Sequence, residues 1–481
     1  MGKLKELGLE ESNLVFGFDD FILLPSYISI EPSDISLNTK FSLNNDLNVP
    51  FVSSPMDTVT EAEMAITLAR NGGIGVIHRN CSIEEQLAQV KRVKRAESFI
   101  IKDVVTINPE ATVGEAAKIM EEHGISGLPV VDESNKLVGI ITGRDVRFAS
   151  YELKVKDAMT KDVIVADESI TPEESIDLMR KYRIEKLPVV DKDGKLIGLI
   201  TYKDVSHRGM YKDAVRDKMG RLKVAAAISP FDLERALALE KYVDALVIDV
   251  AHFHNENVIS ATKKLTEQVS CDVVIGNLGS REGIIDSISK IDKVAGLRVG
   301  IGGGSVCTTT QITRAGSPTL YAVAVARECL DELGMDIPII ADGGIRNAGD
   351  IALAIAFGAS SAMMGYMFAG CKESPAPLMM LGGRYYKLHR GMGSLSARQK
   401  RLSVDRYAKL PKEIPEGTEA WIPYKGEASN VIKELASALR AAMGYAGARN
   451  IKELQTKAKV KRVSPSAFSR ASDLLFPGES R

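Results

Sequence analysis

The sequence has few cysteines, no excess of charge of either sign and no long apolar segment, and each absence excludes a class of protein. The five cysteines are scattered without a Cys-x-x-Cys pair, which argues against a disulfide framework and a zinc site. With 62 Lys and Arg residues against 63 Asp and Glu residues, no net field recruits nucleic acid or an anionic membrane. No uninterrupted apolar run approaches the roughly 18 residues that span a bilayer, and residues 1–12 lack a signal-peptide pattern. We therefore expect a cytoplasmic protein that binds neither nucleic acid nor membrane.

The 481 residues, 45% of them hydrophobic, are enough for more than one core, and two or three domains are expected. Residues 14–78 contain three short apolar runs that end at polar or glycine residues, a pattern typical of buried strands. Residues 61–71, between the second and third runs, have helical spacing. This order predicts a β-α-β unit with a parallel sheet. The three predicted strands are residues 21–25, 50–57 and 73–78.

The middle of the chain contains an internal duplication. Pro129 and Pro188 are separated by the same 59 positions as Gly139 and Gly198. Each copy has the order strand, helix, strand, strand and then Thr-x-x-Asp. Two copies of one unit predict a pair related by pseudo-twofold symmetry.

This repeated unit resembles the cystathionine-β-synthase-type (CBS) module, in which the threonine and aspartate commonly hold the ribose of an adenine or guanine nucleotide. The resemblance implies a regulatory nucleotide site in the pair. The alternative is that these residues only cap the following helices, because threonine and aspartate are good N-caps and many such modules bind nothing. The residues concerned are Thr142, Asp145, Thr201 and Asp204.

Six further apolar runs follow the duplication, separated by helical segments such as residues 233–243 and 348–357. With the two strands of the first β-α-β unit they make about eight β-α units. This count predicts an α/β fold, a (β/α)8 TIM barrel with an inserted tandem CBS domain pair. The six runs are residues 223–228, 245–249, 272–277, 296–300, 338–342 and 361–365. The predicted segments are 1–94 for the N-terminal part of the barrel, 95–150 and 151–207 for the two CBS repeats, and 208–481 for the C-terminal part of the barrel.

Polar residues at the ends of these runs should meet at one mouth, because the active site of such a barrel lies at the C-terminal ends of its strands. One thiol, two carboxylates, an amide and several glycine backbones suit a polyhydroxylated, phosphorylated ligand. Carboxylates accept hydrogen bonds from ribose hydroxyls, and glycine N–H groups before a helix hold phosphate. These residues are Ser54, Met56, Asp249, Asn277, Cys307, Asp342, Gly343, Gly344 and Gly365.

The glycine-rich loop 300–309 is the most distinctive stretch, because its four glycines precede a single cysteine, Cys307. Glycines permit positive φ and close approach to a bound group, and a cysteine held in such a bend can act as a nucleophile. The simpler alternative is a small buried cysteine after an apolar run. The convergence of polar strand ends favours the reactive loop.

The chain resembles the IMP dehydrogenase family over essentially its whole length, CBS insert included. The motifs that carry the resemblance are residues 53–61, 300–309, 341–345, 390–394, 405–407 and 415–417. The resemblance implies oxidation of inosine 5'-monophosphate (IMP) to xanthosine 5'-monophosphate with NAD, in guanine nucleotide biosynthesis. It assigns the covalent thioimidate to Cys307, the activation of water to Arg406 and Tyr407 on a mobile flap at residues 395–422, and assisting roles to Thr309 and Glu416.

The resemblance also assigns ligand contacts. Ser54 and Met56 are expected near the purine base, Asp342 on the ribose, and Asp249 and Asn277 on the cofactor side. The resemblance also places Gly300 and Gly302 of the glycine-rich loop 300–309, called the thiol loop below, on the cofactor side. The phosphate group is assigned to Ser305, Gly343, Gly344, Gly365, Tyr366 and His389, and the purine edge to Gly391, Met392 and Gly393. A potassium ion is expected on the carbonyl oxygens of Gly302, Gly304 and Cys307, and the assembly is expected to be a homotetramer or an octamer.

Some positions depart from the family pattern. Gly303 stands where proline or serine is usual, Tyr366 replaces a serine and His389 replaces a tyrosine. Residues 464–481 lack the Glu-Ser-His-like segment that completes the potassium site in the family. These changes leave open the identity of the nucleotide and the dependence on potassium.

Two other functions remain in view. One is GMP reductase, which shares the barrel and the cysteine loop but uses a Thr-Glu pair whose glutamate would fall at about Leu395. The presence of Arg406, Tyr407 and Glu416 favours the dehydrogenase. The other is a nucleotide sensor whose barrel has lost catalysis and whose CBS pair is the working part.

Overall fold

The computed structural model describes residues 3–9, 14–96, 100–102, 104–202, 205, 211–399 and 416–464, apart from the side chains of residues 398 and 399. Two compact units make up the chain. One combines Met1–Ala96 with Asp213–Arg481, and the other is Glu97–Lys212. The finer division into residues 1–94, 95–150, 151–207 and 208–481 stays a prediction.

The larger unit is a closed barrel of eight parallel strands, as the sequence predicted. Strand β8 closes the barrel by pairing in parallel with β1, with Ala362 opposite Phe51 and Met364 opposite Ser53. Nearly every residue of these strands is buried, because the barrel interior covers one face and the surrounding helices cover the other. The strands are β1 (Phe51–Ser53), β2 (Ile74–Ile77), β3 (Ala225–Ile228), β4 (Ala245–Ile248), β5 (Asp272–Leu278), β6 (Gly296–Val299), β7 (Ile339–Asp342) and β8 (Ser361–Met364).

Helices follow the strands around the outside of the barrel. Several begin at a side chain that caps the first turn, such as Ser82, Asn255 and Asn347. The helix after β8 comes late in the chain: Ala428–Tyr445 packs against Ala62–Arg70 and Ala348–Ala356 and so completes the outer ring. The helices of this unit are Lys3–Glu6, Ala62–Arg70, Ile83–Arg95, Leu233–Leu239, Glu256–Thr266, Arg281–Lys290, Thr309–Thr313, Thr319–Leu333, Ala348–Ala356, Tyr366–Ala369, Leu395–Gln399, Ala428–Tyr445 and Ile451–Lys457, with 3-10 turns at Phe18–Asp20 and Pro32–Asp34.

The prediction that the strand at residues 21–25 is buried is wrong. The strand Phe21–Leu23 lies outside the barrel and pairs antiparallel with Val460–Arg462. Only Phe21 is buried, and Ile22 is 42% exposed. A two-stranded ribbon covers one face only, so a short apolar run does not by itself mark a barrel strand.

Two further small sheets belong to this unit. Thr39–Ser42 pairs with Asn45–Leu47. Between β8 and the last barrel helix, an antiparallel sheet has the order Leu378–Leu381, Arg384–Arg390, Glu419–Pro423. The last of these strands follows residues 416–418, so the sheet brings the end of the predicted flap to the barrel mouth.

The smaller unit shows the duplication directly. Helix Val113–His123 and the antiparallel strands Gly127–Val131 and Leu137–Thr142 recur as Pro172–Tyr182, Lys186–Val190 and Leu196–Thr201. Each copy has its own small core, with Leu128 in one at the position of Leu187 in the other. Within the described residues this unit also contains the helices Gly143–Phe148 and Val155–Ala158.

The two copies exchange one segment. Ile101, which precedes the first copy, forms an antiparallel bridge with Leu199 of the second, and Thr160, which precedes the second, bridges Ile140 of the first. Each small sheet is therefore completed by the segment that leads into the other copy.

Among the described residues, no helix combines the length and the apolar character needed to cross a lipid bilayer.

Gly75 on β2 provides a test of the barrel packing. A Cβ at this position would lie 2.6 Å from the Cα of Ala65 on the neighbouring helix, so Gly75→Ala forces the helix away from the sheet. We expect a loss of about 1–3 kcal/mol of stability, seen as a lower thermal unfolding midpoint by circular dichroism. Gly17→Ala is the matched control, because nothing lies within 4 Å of its Cβ position and its φ is −118°. Equal midpoints for the two variants would contradict the packing described.

Candidate active site

The C-terminal ends of the strands bring the predicted polar residues to one mouth. Ser54 follows β1, Asp249 follows β4 and Gly365 follows β8, while Asn277 and Asp342 lie near the ends of β5 and β7. Ser54, Asp249 and Asn277 are buried. The mouth is therefore a lined site rather than an open surface.

The thiol loop needs its glycines for close backbone contacts. Gly300 has φ +115°, and a Cβ there would lie 2.7 Å from both the carbonyl oxygen of Asp342 and Oγ1 of Thr319. Gly302 has φ +83°, in the left-handed region that favours glycine. The φ of Gly303 lies outside that region, but a side chain on it would meet Thr319 Oγ1 at 3.0 Å.

Cys307 lies at the head of a hydrogen-bonded line of three side chains. Its thiol donates to Thr309 Oγ1 at 3.3 Å, and the Thr309 hydroxyl donates to Glu416 Oε2 at 3.0 Å. The backbone holds this line in place, because Thr308 N–H donates to the carbonyl oxygen of Glu416 and Cys307 forms an antiparallel bridge with Gly417. A thiol, a hydroxyl and a carboxylate in this order can lead a proton away from the sulfur or from a water beside it.

A buried arginine that the sequence analysis missed joins the acidic residues of the mouth. Arg298 on β6 donates from Nε to Asp342 Oδ2 at 2.8 Å and from Nη1 to Asp249 Oδ1 at 3.0 Å. Asn277 Nδ2 also donates to Asp342 Oδ2, at 2.7 Å. The signal was available, because a charged residue inside a buried strand needs a partner of opposite charge.

Asp249 is more fully paired than its assignment to the cofactor side suggested. Besides the ion pair with Arg298, Asp249 contacts Arg79. Arg79 Nη2 donates to the backbone carbonyl oxygen of Asp249 at 3.1 Å, and Arg79 Nε lies 3.5 Å from Asp249 Oδ2. Two guanidinium groups thus neutralise the carboxylate inside the mouth. Any contact of Asp249 with a cofactor is shared with these ion pairs.

Gly365 marks a corner where several predicted substrate residues meet. A Cβ on Gly365 would lie 2.9 Å from Met56 Sδ, 3.5 Å from His389 Cε1 and 3.8 Å from Ser54 Oγ. His389 Nε2 lies 3.4 Å from Ser305 Oγ, which brings the thiol loop to the same corner. The residue must be glycine for these side chains to come together.

Two of the three residues that depart from the family pattern, Tyr366 and His389, share this corner with a lysine. His389 is 1% exposed, and burial together with the nearby charge of Lys425 lowers its pKa to about 4. Lys425 Nζ lies 4.3 Å from the centre of the Tyr366 ring, and burial lowers the pKa of Lys425 as well. The imidazole of His389 is therefore neutral at physiological pH.

Gly391 and Gly393 also serve close packing. A Cβ on Gly391 would lie 2.7 Å from the carbonyl oxygen of Val306, and one on Gly393 would lie 3.2 Å from that of Glu416. Met392 accepts a weak hydrogen bond on its sulfur from Asp57 N–H at 3.5 Å. This turn therefore touches both the thiol loop and the segment that carries Glu416. Gly343 and Gly344, with φ +82° and +73°, pack against Gly303 and Gly304 from the other side.

Arg406, Tyr407 and Asp204 lie outside the described residues. In the smaller unit, Thr142 donates from N and Oγ1 to Asp145 Oδ2, at 2.8 and 2.7 Å, which is the helix-capping alternative raised above. Leu395, where a reductase would carry its glutamate, is 62% exposed.

Comparisons with known proteins agree with the family resemblance carried by the motifs. The curated inosine-5'-monophosphate dehydrogenase of Korarchaeum cryptofilum is 53% identical over 462 residues, which cover 96% of each chain. That of Methanocaldococcus jannaschii is 48% identical over 489 residues, covering 98% of each chain. Among solved structures, GMP reductase from Trypanosoma brucei in complex with guanosine 5'-monophosphate superposes with a TM-score of 0.83 at 35% identity, covering 96% of this chain and 98% of that one.

A family model, the IMP dehydrogenase / GMP reductase domain, matches residues 15–472, which include the barrel, the insert and the segment between them. Together with relatives of such identity over nearly the whole length, this match confirms the resemblance inferred from the motifs. The chain belongs to the IMP dehydrogenase / GMP reductase family.

Proposed function

We propose that the protein is an NAD-dependent oxidoreductase that converts IMP to xanthosine 5'-monophosphate in guanine nucleotide biosynthesis. The observation that carries this proposal is the hydrogen-bonded line from Cys307 through Thr309 to Glu416 at the barrel mouth. Relatives with 53% and 48% identity over nearly the full chain bear the name of this enzyme, which supports the same activity.

The proposed chemistry begins and ends at Cys307. Its thiolate forms a bond to C2 of the purine, the C2–H bond breaks, and NAD supplies the acceptor for the departing hydride. Water then attacks C2, the C2–S bond breaks and the thiol is restored. The net change consumes IMP, NAD⁺ and water and yields xanthosine monophosphate, NADH and one proton.

Glu416 and Thr309 support the hydrolysis half of this cycle. Because Thr309 donates to the Glu416 carboxylate, its oxygen can accept a proton from a water beside the sulfur and pass one on. Arg406 and Tyr407 are proposed as the main activators of that water, as the resemblance implies. An arginine base is unusual, since guanidinium is normally protonated throughout the working pH range.

GMP reductase is the second candidate, because the superposed Trypanosoma structure bears that name. The Thr309–Glu416 pair suits either activity, because a reductase also uses a Thr-Glu pair, but the exposed Leu395 offers no carboxylate at the position expected for the reductase glutamate. Relatives that bear the dehydrogenase name at 53% and 48% identity, against 35% for the reductase structure, favour the dehydrogenase. A sensor without catalysis is the least supported, because the line of side chains behind Cys307 is intact.

The corner around Gly365 is the proposed phosphate subsite. Ser305, His389 and the backbone at the start of the helix Tyr366–Ala369 converge there, with the Lys425 cation behind the Tyr366 ring. Met56 at the same corner is proposed to contact the base, and Asp342, held by Arg298, the ribose hydroxyls. Asp249 and Asn277 remain the proposed contacts to NAD.

Potassium, the nucleotide at the CBS pair, the tetramer and the cytoplasmic location are further parts of the proposal. The carbonyl oxygens of Gly302, Gly304 and Cys307 come from one loop and are the neutral oxygen donors that a hard monovalent cation prefers, so the donor set fits potassium. The Gly304 carbonyl also accepts the Cys307 N–H at 3.0 Å, which fixes its direction. Such an ion would stiffen the thiol loop rather than take part in bond breaking.

The first test is a substrate assay on the purified protein. Incubation with IMP and NAD should produce NADH absorbance, and Cys307→Ala should abolish it because no other group in the proposed cycle can form the covalent bond. Consumption of NADPH with GMP, and no NADH from IMP, would reassign the protein as a reductase. No turnover in either direction, with nucleotide binding retained, would favour the sensor.

The second test separates the two halves of the cycle. Glu416→Gln keeps the size and hydrogen bonding of the side chain but removes the base, so steady-state turnover should fall by about tenfold or more. The fall should be smaller than that caused by removing a sole general base, because Arg406 and Tyr407 remain. The first turnover of NADH should keep its rate, and a burst equal to the enzyme concentration should appear in stopped flow. A proportional loss of burst and steady state would contradict the assignment of Glu416 to hydrolysis.

The third test concerns potassium. Exchange of potassium for a larger organic cation at constant ionic strength should lower turnover several-fold if the three carbonyls bind the ion, because the thiol loop loses its brace. Turnover that is identical in both salts would remove potassium from the proposal.

A further inference from the structure

A buried ion pair lies beside the active site without touching the line of catalytic side chains. Arg390 donates from Nε to Asp57 Oδ1 at 2.9 Å and from Nη2 to Oδ2 at 2.5 Å, the two-pronged geometry that fixes both side chains. The Asp57 side chain is 2% exposed and that of Arg390 11% exposed. Asn80 donates a third bond to Asp57 Oδ2 at 2.7 Å. Burial alone would raise the pKa of Asp57, but Arg390 and Asn80 hold it below its usual value, so the pair is ionised.

The free side of the Arg390 fork reaches the segment at the start of the predicted flap. Its Nη1 donates to Ser396 Oγ at 3.3 Å, and the Ser396 hydroxyl bonds the carboxylate of Glu419. Arg390 and Glu419 are also directly opposite each other in the antiparallel sheet. One guanidinium thus links the loop after β1, residue 396 and the strand that begins at Glu419.

The turn that follows Arg390, residues 391–394, holds the segment of Glu416 by backbone hydrogen bonds. Gly391 N–H donates to the carbonyl oxygen of Thr418 at 2.9 Å, and Glu416 N–H donates to that of Gly393 at 3.2 Å. The packing is close, since a Cβ on Gly417 would lie 3.0 Å from the backbone nitrogen of Ser394. A displacement of the turn would therefore displace Glu416, because there is no free space to absorb it.

The same turn touches the thiol loop. Thr418 N–H donates to the carbonyl oxygen of Val306 at 3.0 Å, directly before Cys307. The thiol loop has a second support of its own, because Gly303 and Gly304 pack against Gly343 and Gly344 on its other side. The position of Glu416 relative to Thr309 is therefore the feature that depends on the turn held by Arg390 and Asp57.

We propose that the Asp57–Arg390 ion pair is a positioning device for the hydrolytic step: it holds Glu416 at hydrogen-bond distance from Thr309 without contacting substrate. The proposal rests on the function proposed above and adds residues that act through Glu416. It distinguishes Arg390 from a general stabiliser, because its effect is confined to the step that needs Glu416.

The test is a double-mutant cycle read by stopped flow. Arg390→Gln should lower steady-state turnover about as much as Glu416→Gln, while the first-turnover rate of NADH formation stays within about twofold of the parent. The double variant should be no slower than Glu416→Gln alone, because both changes remove the same contribution. Arg390→Lys, which keeps the charge but not the fork, should recover part of the loss.

A matched control comes from a second buried ion pair at the other end of the barrel. Lys94 Nζ donates to Asp217 Oδ2 at 3.0 Å and Asp244 Oδ2 at 2.6 Å, and Asp244 directly precedes β4. Lys94→Met should lower the thermal midpoint as Arg390→Gln does, yet leave the ratio of burst rate to steady-state rate unchanged. Ser396→Ala serves as a second probe if Arg390→Gln does not fold, and should reproduce a smaller fraction of the hydrolytic loss.

The possible results separate cleanly. Multiplicative losses in the double variant, or an equal drop in first-turnover and steady-state rates, would overturn the positioning role. A parent enzyme that forms no NADH from IMP would instead overturn the proposed function itself.

Discussion

The active site depends on how closely three stretches of backbone approach one another at the barrel mouth. The loop at residues 300–307, the turn at residues 391–394 and the segment at residues 416–418 touch main chain to main chain, and the contact points are glycines. A Cβ on Gly391 or Gly417 would come within about 3 Å of backbone atoms, a separation that side-chain movement cannot relieve. The spacing between the Cys307 thiol and the Glu416 carboxylate is therefore set by backbone, which is stiffer than side-chain packing.

This constraint explains which parts of the site could be predicted from the sequence. The eight strands were predicted because each is a short apolar run that ends at a polar or glycine residue, and the fold makes those ends converge. Cys307, Thr309 and Glu416 came from motifs, and the structure brings the three together although more than a hundred positions separate the last from the first two. Their relative geometry was beyond prediction, because it arises from contacts between segments far apart in the chain.

What the sequence analysis missed has a common physical cause. Arg298 lies inside a buried strand, and its role depends on Asp249 and Asp342, which lie on either side of it. Asp57 and Arg390 belong to motifs that were recognised, but their pairing joins residues over three hundred positions apart. Buried charges must be paired, so a lone charge in an apolar run predicts a partner of opposite charge but does not identify it. The predicted burial of the strand at residues 21–25 was wrong, because burial depends on neighbouring elements that the local sequence pattern does not reveal.

The order of elements along the chain has a consequence for the way the protein is made. Strands β1 and β2 are synthesised first, yet β2 borders β3, which follows the whole insert, and β1 borders β8, which comes some three hundred residues later. The insert, by contrast, is a compact unit of continuous chain, Glu97–Lys212, and can form while the ribosome is still producing the rest of the barrel. During that interval the outer edges of β1 and β2 lack their partner strands, and unpaired strand edges favour aggregation or capture by a chaperone.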